Sequence, residues 1–145
     1  REVTLPPLPT VTSMVSCFYG CFSLKAVTLP SLPAVTSMAS CFYACYSLQS
    51  VTLPQLPAVT SMASCFGAAV TEAQSLRSLR QIILSGLRYG FALNYGALQS
   101  QEINALFTSL GTANGAQTID VRNQPGSAAC DVSIAVLKGY TVVTS

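Results

Sequence analysis

The sequence predicts an α/β solenoid, with leucine-rich-repeat-like coils of one strand and one short helical turn, a 24-residue period and a C-terminal α/β cap. Three observations predict it. The block VTLPxLPxVTSMxSCF occurs three times, beginning at Val3, Val27 and Val51. Its cysteines give the period, since 41 − 17 and 65 − 41 both equal 24. Leucines recur at fixed offsets in a block of that length, so the interior is built between copies rather than within one. The solenoid is assigned to 1–85, and 86–145 is the capping region of the same domain.

Each unit opens on a strand. At one junction Leu48, Val51 and Leu53 fit an LxxLxL pattern, and at the preceding one Leu24, Val27 and Leu29 do so. These side chains are expected to point inward. Lys25, Ala26 and Thr28, then Gln49, Ser50 and Thr52, point outward along the sheet. Pro30 and Pro54 end the strands, because proline has no N–H for the ladder. Leu32-Pro33 and Leu56-Pro57 turn the chain, and Thr36-Ser37 and Thr60-Ser61 are placed to cap a short helical turn. Met38, Cys41, Phe42 and Cys45 follow at i, i+3, i+4 and i+7, the spacing of one buried helical face.

The third copy is faithful through Phe66 and then departs, with Gly67-Ala68-Ala69-Val70-Thr71 in place of the expected tyrosine and cysteine. A longer connector leads to Leu79, Ile82 and Leu84, which restore the LxxLxL spacing. This predicts a helix over 71–77 and a fourth strand over 80–84. Beyond Gly86 exact repetition stops. A further strand is expected at 91–93. A helix opening at Gln99 or Ser100 carries Ile103, Leu106, Phe107 and Leu110 on one face and ends at Gly111. A strand over 118–121, a turn at Asn123-Gln124-Pro125-Gly126, a helix over 128–138 stopped by Gly139 and a strand over 140–143 complete the chain. Such a tail closes a solenoid, whose last coil needs cover.

Composition narrows the class. Of 145 residues, 50% are hydrophobic and only 8% charged, about a third of the usual ~25%. Disordered chains show the reverse. Serine and threonine supply most of the polarity, so the surface is hydroxyl-covered and nearly neutral, a surface poorly protected against self-association. The net charge of +2 is too small and scattered for nucleic acid, which needs clustered Lys and Arg. Arg77, Arg80 and Arg88 form one loose basic group that reads as a solvated edge. The most apolar run, 82–93, is broken by Ser85, Gly86 and Arg88 and falls short of the ~20 residues of a membrane span. Val3 already belongs to a repeat, and a bare first coil leaves a strand edge and an apolar face open. The expectation is that upstream chain, or another subunit, covers that end, so that this is part of a larger polypeptide or oligomer.

Little in the sequence points to catalysis or to a cofactor. Cys17, Cys21, Cys41 and Cys45 form two C-x3-C pairs, a spacing that invites zinc. That spacing is a by-product of repetition, and the third copy has Ala69 where the partner of Cys65 belongs. A small buried position tolerates such a change and a ligand position does not. Buried free thiols are therefore expected rather than disulfides, whose geometry parallel side chains oppose, and no metal site is expected. With no histidine, Ser-His and Cys-His nucleophile pairs are absent. Glu2, Glu72, Glu102, Asp120 and Asp131 have no spacing that fixes two of them together. Asp131 is placed to favour the first turn of its helix.

Two surface features remain. Thr4, Thr28 and Thr52 form an outward hydroxyl row flanked by Lys25, Gln49 and Arg80, and open solenoid sheets bind extended partners. Phe18, Phe42 and Phe66 recur in every copy and belong to the core. Tyr19 and Tyr43, which become Gly67 in the third copy, are expected as surface aromatics for a sugar face or protein partner, or as spacers.

These motifs resemble the BspA-like leucine-rich repeats, whose core reads xVTxMxxxFxxCxSLxxLxL. Here it appears as Val35-Thr36-Ser37-Met38, Cys41-Phe42, Cys45 and Ser47-Leu48, followed by Val51 and Leu53. The tail is similar to the ending of many such proteins from bacteriophage genomes and bacterial surfaces. It matches through 103–110, 118–126, Ser133-Ile134-Ala135 and Lys138-Gly139-Tyr140-Thr141-Val142. Family repeats often carry Asp or Asn after the strand, where this chain has Pro30 and Pro54, so contacts made by those acidic positions do not carry over. The resemblance implies a non-enzymatic structural and recognition module on the phage particle surface, as the C-terminal part of a fibre, tail or head-decoration protein. Its partners would be other virion subunits or a host-surface glycan or protein. A bacterial cell-surface adhesin is the alternative. A polysaccharide-degrading module is third and needs paired carboxylates in a groove.

Overall fold

The computed structural model describes residues 1–67, 76–93 and 96–145. Among them the chain forms β1 (Glu2–Thr4), β2 (Ala26–Thr28), β3 (Ser50–Leu53), β4 (Gln81–Leu84), β5 (Phe91–Ala92), α1 (Ser100–Ser109), β6 (Gln117–Asp120), α2 (Ser133–Val136) and β7 (Tyr140–Val143). Two parallel sheets result, β1-β2-β3-β4 and β5-β6-β7, wound as a solenoid of about six turns. The helix expected over 71–77 lies largely outside the described residues.

Sequence repetition becomes register directly. Val3 pairs with Val27, Val27 with Val51 and Val51 with Ile82, so one apolar column runs through the first sheet. A second wall of each coil is stitched by bridges from Ser13 to Ser37 and from Ser37 to Ser61. Beside it the Thr36 N–H donates to the Thr12 carbonyl at 2.9 Å, and the Thr36 hydroxyl donates to the same oxygen at 3.1 Å. Thr60 repeats this on Thr36. These threonine hydroxyls therefore serve the neighbouring coil, whereas those of Ser37 and Ser61 accept the Ala39 and Ala63 N–H groups of their own turns.

Among the described residues, the helical turn expected in the coils does not form. Between Met38 and Leu48 the backbone makes flat turns whose amides alternate in direction. Met38, Ser40 and Phe42 donate across to Ser61, Ala63 and Cys65, whereas Cys41, Tyr43 and Cys45 donate back within the coil to Met38, Ser40 and Phe42. Residues in the left-handed region make this zigzag, at Ser16, Ser40 and Ser64 (φ 54°, 53° and 51°) and at Ala44 (φ 61°). The physical reason is spacing. Parallel strands rise by ~4.8 Å per coil, while packed helices need 8–10 Å between axes. Flat turns stack at the strand rise on every wall, whereas a helix in each coil would have to bend the stack into a horseshoe. Met38, Cys41, Phe42 and Cys45 are all fully buried nonetheless, so the apolar spacing correctly marked the core.

That core is one continuous cluster from Met14 to Tyr140. Phe18 stacks on Phe42 with ring centroids 5.4 Å apart, Phe42 on Phe66 at 5.9 Å, and Phe91 of β5 closes the column edge-on at 6.1 Å. Each buried ring contributes about 1.5–3 kcal/mol by leaving water.

The first sheet stops at β4 because α1 packs against it. The Leu84 N–H donates to the Ser109 hydroxyl, and the Gly86 N–H to the Ser109 carbonyl, consuming part of the edge that a fifth strand would take. The start of α1 is set by Gln99, whose N–H donates to the Glu102 carboxylate at 3.0 Å, satisfying a donor the helix cannot. Ile103, Leu106 and Phe107 are buried beneath it. The second sheet takes over on another wall, pairing Phe91 with Ile119 and Ile119 with Val142. The turn at Asn123-Gln124-Pro125-Gly126 packs beneath α1 so closely that a Cβ on Gly126 would lie 2.1 Å from the Ser100 nitrogen. The helix expected over 128–138 is reduced to Ser133–Val136. Asp131 explains the late start, for its carboxylate accepts from both the N–H and the hydroxyl of Ser133, a local bond that competes with helix upstream.

Candidate recognition surfaces

The outward side of the first sheet carries the residues singled out in the sequence. Thr4, Thr28 and Thr52 stand in register, and the row ends at Ile83. Lys25, Gln49 and Arg80 form a parallel row just before the strands. There the Lys25 N–H donates to the Arg1 carbonyl, that of Gln49 to Lys25 and that of Arg80 to Gln49, at 2.7, 2.7 and 2.9 Å. All three of these side chains are exposed. The six residues thus share one wall, as the repeat implies.

At the α1 end this wall meets a step. Arg80, Gln81 and Ile83 from the sheet, with Gln101, Glu102 and Ala105 from α1, line a cleft of about 290 Å³. Arg80 is marked by the repeat, and the helix side is not. The repeat carries no information about how a non-repeated helix docks.

Tyr19 and Tyr43 stack in parallel, 5.1 Å between centroids and 2° between planes, and Tyr19 is 57% exposed. A second pair, Phe22 and Tyr46, stacks at 5.5 Å. Its signal was an aromatic residue at the same place in successive copies. Each ring covers one face of its neighbour, and Tyr19 and Phe22 remain largely exposed.

All six cysteines are free thiols. Cys41, Cys45 and Cys65 are buried, whereas Cys17 is exposed in the first coil and Cys21 is half-buried, which corrects the expectation of burial throughout. Burial pushes the Cys41 thiol up to about 12 and that of Cys45 to about 11, and raises that of Cys65. Cys45 Sγ donates to the Phe18 carbonyl at 3.0 Å. Metal ligation and nucleophilic attack need the thiolate, which this environment opposes. Among the described residues no group of three or more His, Cys, Asp or Glu is placed to hold a metal ion.

Three of the carboxylates are engaged locally. Asp120 pairs with Arg122 at 2.7 Å, Asp131 with Ser133 and Glu102 with the Gln99 N–H. No helix among the described residues is long and apolar enough to cross a membrane.

Fold and surfaces together define a parallel solenoid presenting one flat, hydroxyl-bearing wall. Compared with family models, curated proteins and solved structures, the chain finds no match.

Proposed function

We propose that this chain is a non-enzymatic structural and recognition module built on BspA-like leucine-rich repeats, and that it forms part of a bacteriophage virion protein. A fibre, tail or head-decoration component is meant, attaching to a host surface or to another virion subunit. The observation that carries the reading is the unbroken register of Val3, Val27, Val51 and Ile82. It makes a rigid wall whose outward rows are presented without any ordering on contact, and such preorganisation lowers the cost of binding. The repeats depart from leucine-rich coils in using stacked turns where a helix is expected, a variation on the same strand ladder.

Mass spectrometry of purified particles, together with binding of the purified chain to host cells, tests the reading. The chain is expected among the particle proteins. Its detection only in a bacterial envelope would overturn the virion assignment and favour the surface-adhesin reading. Depolymerisation of host glycan by the pure chain would overturn the non-enzymatic reading.

A further inference from the structure

We infer that the cleft between β4 and α1 is a binding site for one ring of a neutral sugar, gripped through two adjacent hydroxyl groups. The inference rests on the recognition reading above and names its ligand class.

All three outward rows of the sheet change character at β4. Thr52 gives way to Ile83, Ser50 to Gln81 and Gln49 to Arg80. At the strand of this sheet that packs against α1, an apolar side chain thus replaces a hydroxyl and two longer polar side chains stand beside it. The cleft they form holds about 290 Å³, near the lower end of ligand clefts, which run from about 300 Å³ upward. That is room for a ring, and α1 already covers the sheet edge a peptide strand would need.

The chemistry selects the ring. Among the described residues, the side chains of Arg80, Gln81 and Gln101 have no hydrogen-bond partner, and Glu102 spends one carboxylate oxygen on the Gln99 N–H. These are flat groups presenting donors and acceptors side by side. Two neighbouring hydroxyls, each both donor and acceptor, answer that pattern. Ile83 and Ala105 offer an apolar floor for the C–H face of a ring. One guanidinium is set against one carboxylate, so the cleft has no net charge to reward an acidic sugar.

Nitrogen-edited NMR of the whole chain tests this, with methyl glucoside, methyl galactoside and methyl mannoside as neutral probes and glucuronic acid as the charged one. At least one neutral probe is expected to shift the amides of Gln81, Gln101 and Ala105, with millimolar affinity as one ring allows and no dependence on salt. Ala105→Phe, at an exposed position that fills the cleft, is expected to weaken binding at least tenfold, and Gln101→Ala several-fold. If Ala105→Phe does not fold, Gln101→Ala decides. Shifts from no probe, shifts mapping elsewhere, or response to glucuronic acid alone with salt dependence would each overturn the site. A chain found in particles but silent to every probe sinks the cleft alone. Sugar binding by a chain absent from particles sinks the virion reading alone.

Discussion

The ammonium of Lys138 donates to the Leu110 carbonyl at 2.6 Å, and also reaches those of Thr108 and Phe107. One side chain from the last turn of the chain thereby satisfies three acceptors at the end of α1, where helix carbonyls lack partners and a cation is favoured. It ties the last coil to the helix that closes the first sheet. Replacing Lys138 with Met keeps the stem and removes the donors. A loss of about 1–3 kcal/mol in urea unfolding is expected, whereas an unchanged midpoint would show the contact to be idle.

Gln124 satisfies backbone groups in the segment that leads into α1. Buried, it donates to the Leu93 carbonyl at 2.6 Å and accepts from the Leu98 N–H at 3.0 Å. Gln124→Leu strands both backbone groups, and about 2–4 kcal/mol should be lost. Gln124→Glu keeps the acceptor and should recover part of that at low pH, when the acid is protonated. Thermal melts of both variants at two pH values check this.

Ser40 sits at φ 53°, where a side chain costs about 1–2 kcal/mol. Its N–H donates to the Ala63 carbonyl, a bond that any residue but proline keeps. Ser40→Gly should therefore stabilise by about 0.5–1 kcal/mol, and Ser40→Val should destabilise by more. If chemical unfolding ranks these variants the other way, the left-handed turn is wrong.

The buried thiols make stability fall in alkali. Above the ordinary thiol pKa the unfolded chain loses protons that folded Cys41 and Cys45 hold until about 12 and 11. Folded Cys65 and Tyr140 also hold theirs. Stability is fully present below pH ~8.5 and declines between there and pH 11–12, at up to about 1.4 kcal/mol per pH unit for each group. Melting temperature against pH, compared with a Cys41→Ala variant, measures one group's share. Equal slopes would contradict it.

The strands were legible because identical residues 24 apart must occupy equivalent places, so Val3, Val27 and Val51 told their own register. The turns were not. Met38, Cys41, Phe42 and Cys45 have one spacing that serves a helix face and a stacked turn equally, and the choice is made by coil rise, a property of several copies together. A left-handed Ser40 leaves no trace in composition, unlike glycine. Of the outward wall, the repeated Thr4, Thr28 and Thr52 were readable. The cleft was not, because Gln101, Glu102 and Ala105 lie outside the repeat and meet β4 only through the docking of α1.

Each coil bonds to the next through its turns as well as its strands. Through-hydrogen-bond NMR couplings, which link an amide nitrogen to the carbonyl carbon accepting its proton, address it at Phe42. The structure requires a coupling from Phe42 to Cys65 of the following coil, where the two groups lie 2.8 Å apart. A coupling from Phe42 to Met38 instead would mean a helix in each coil, and would contradict the stacked-turn solenoid.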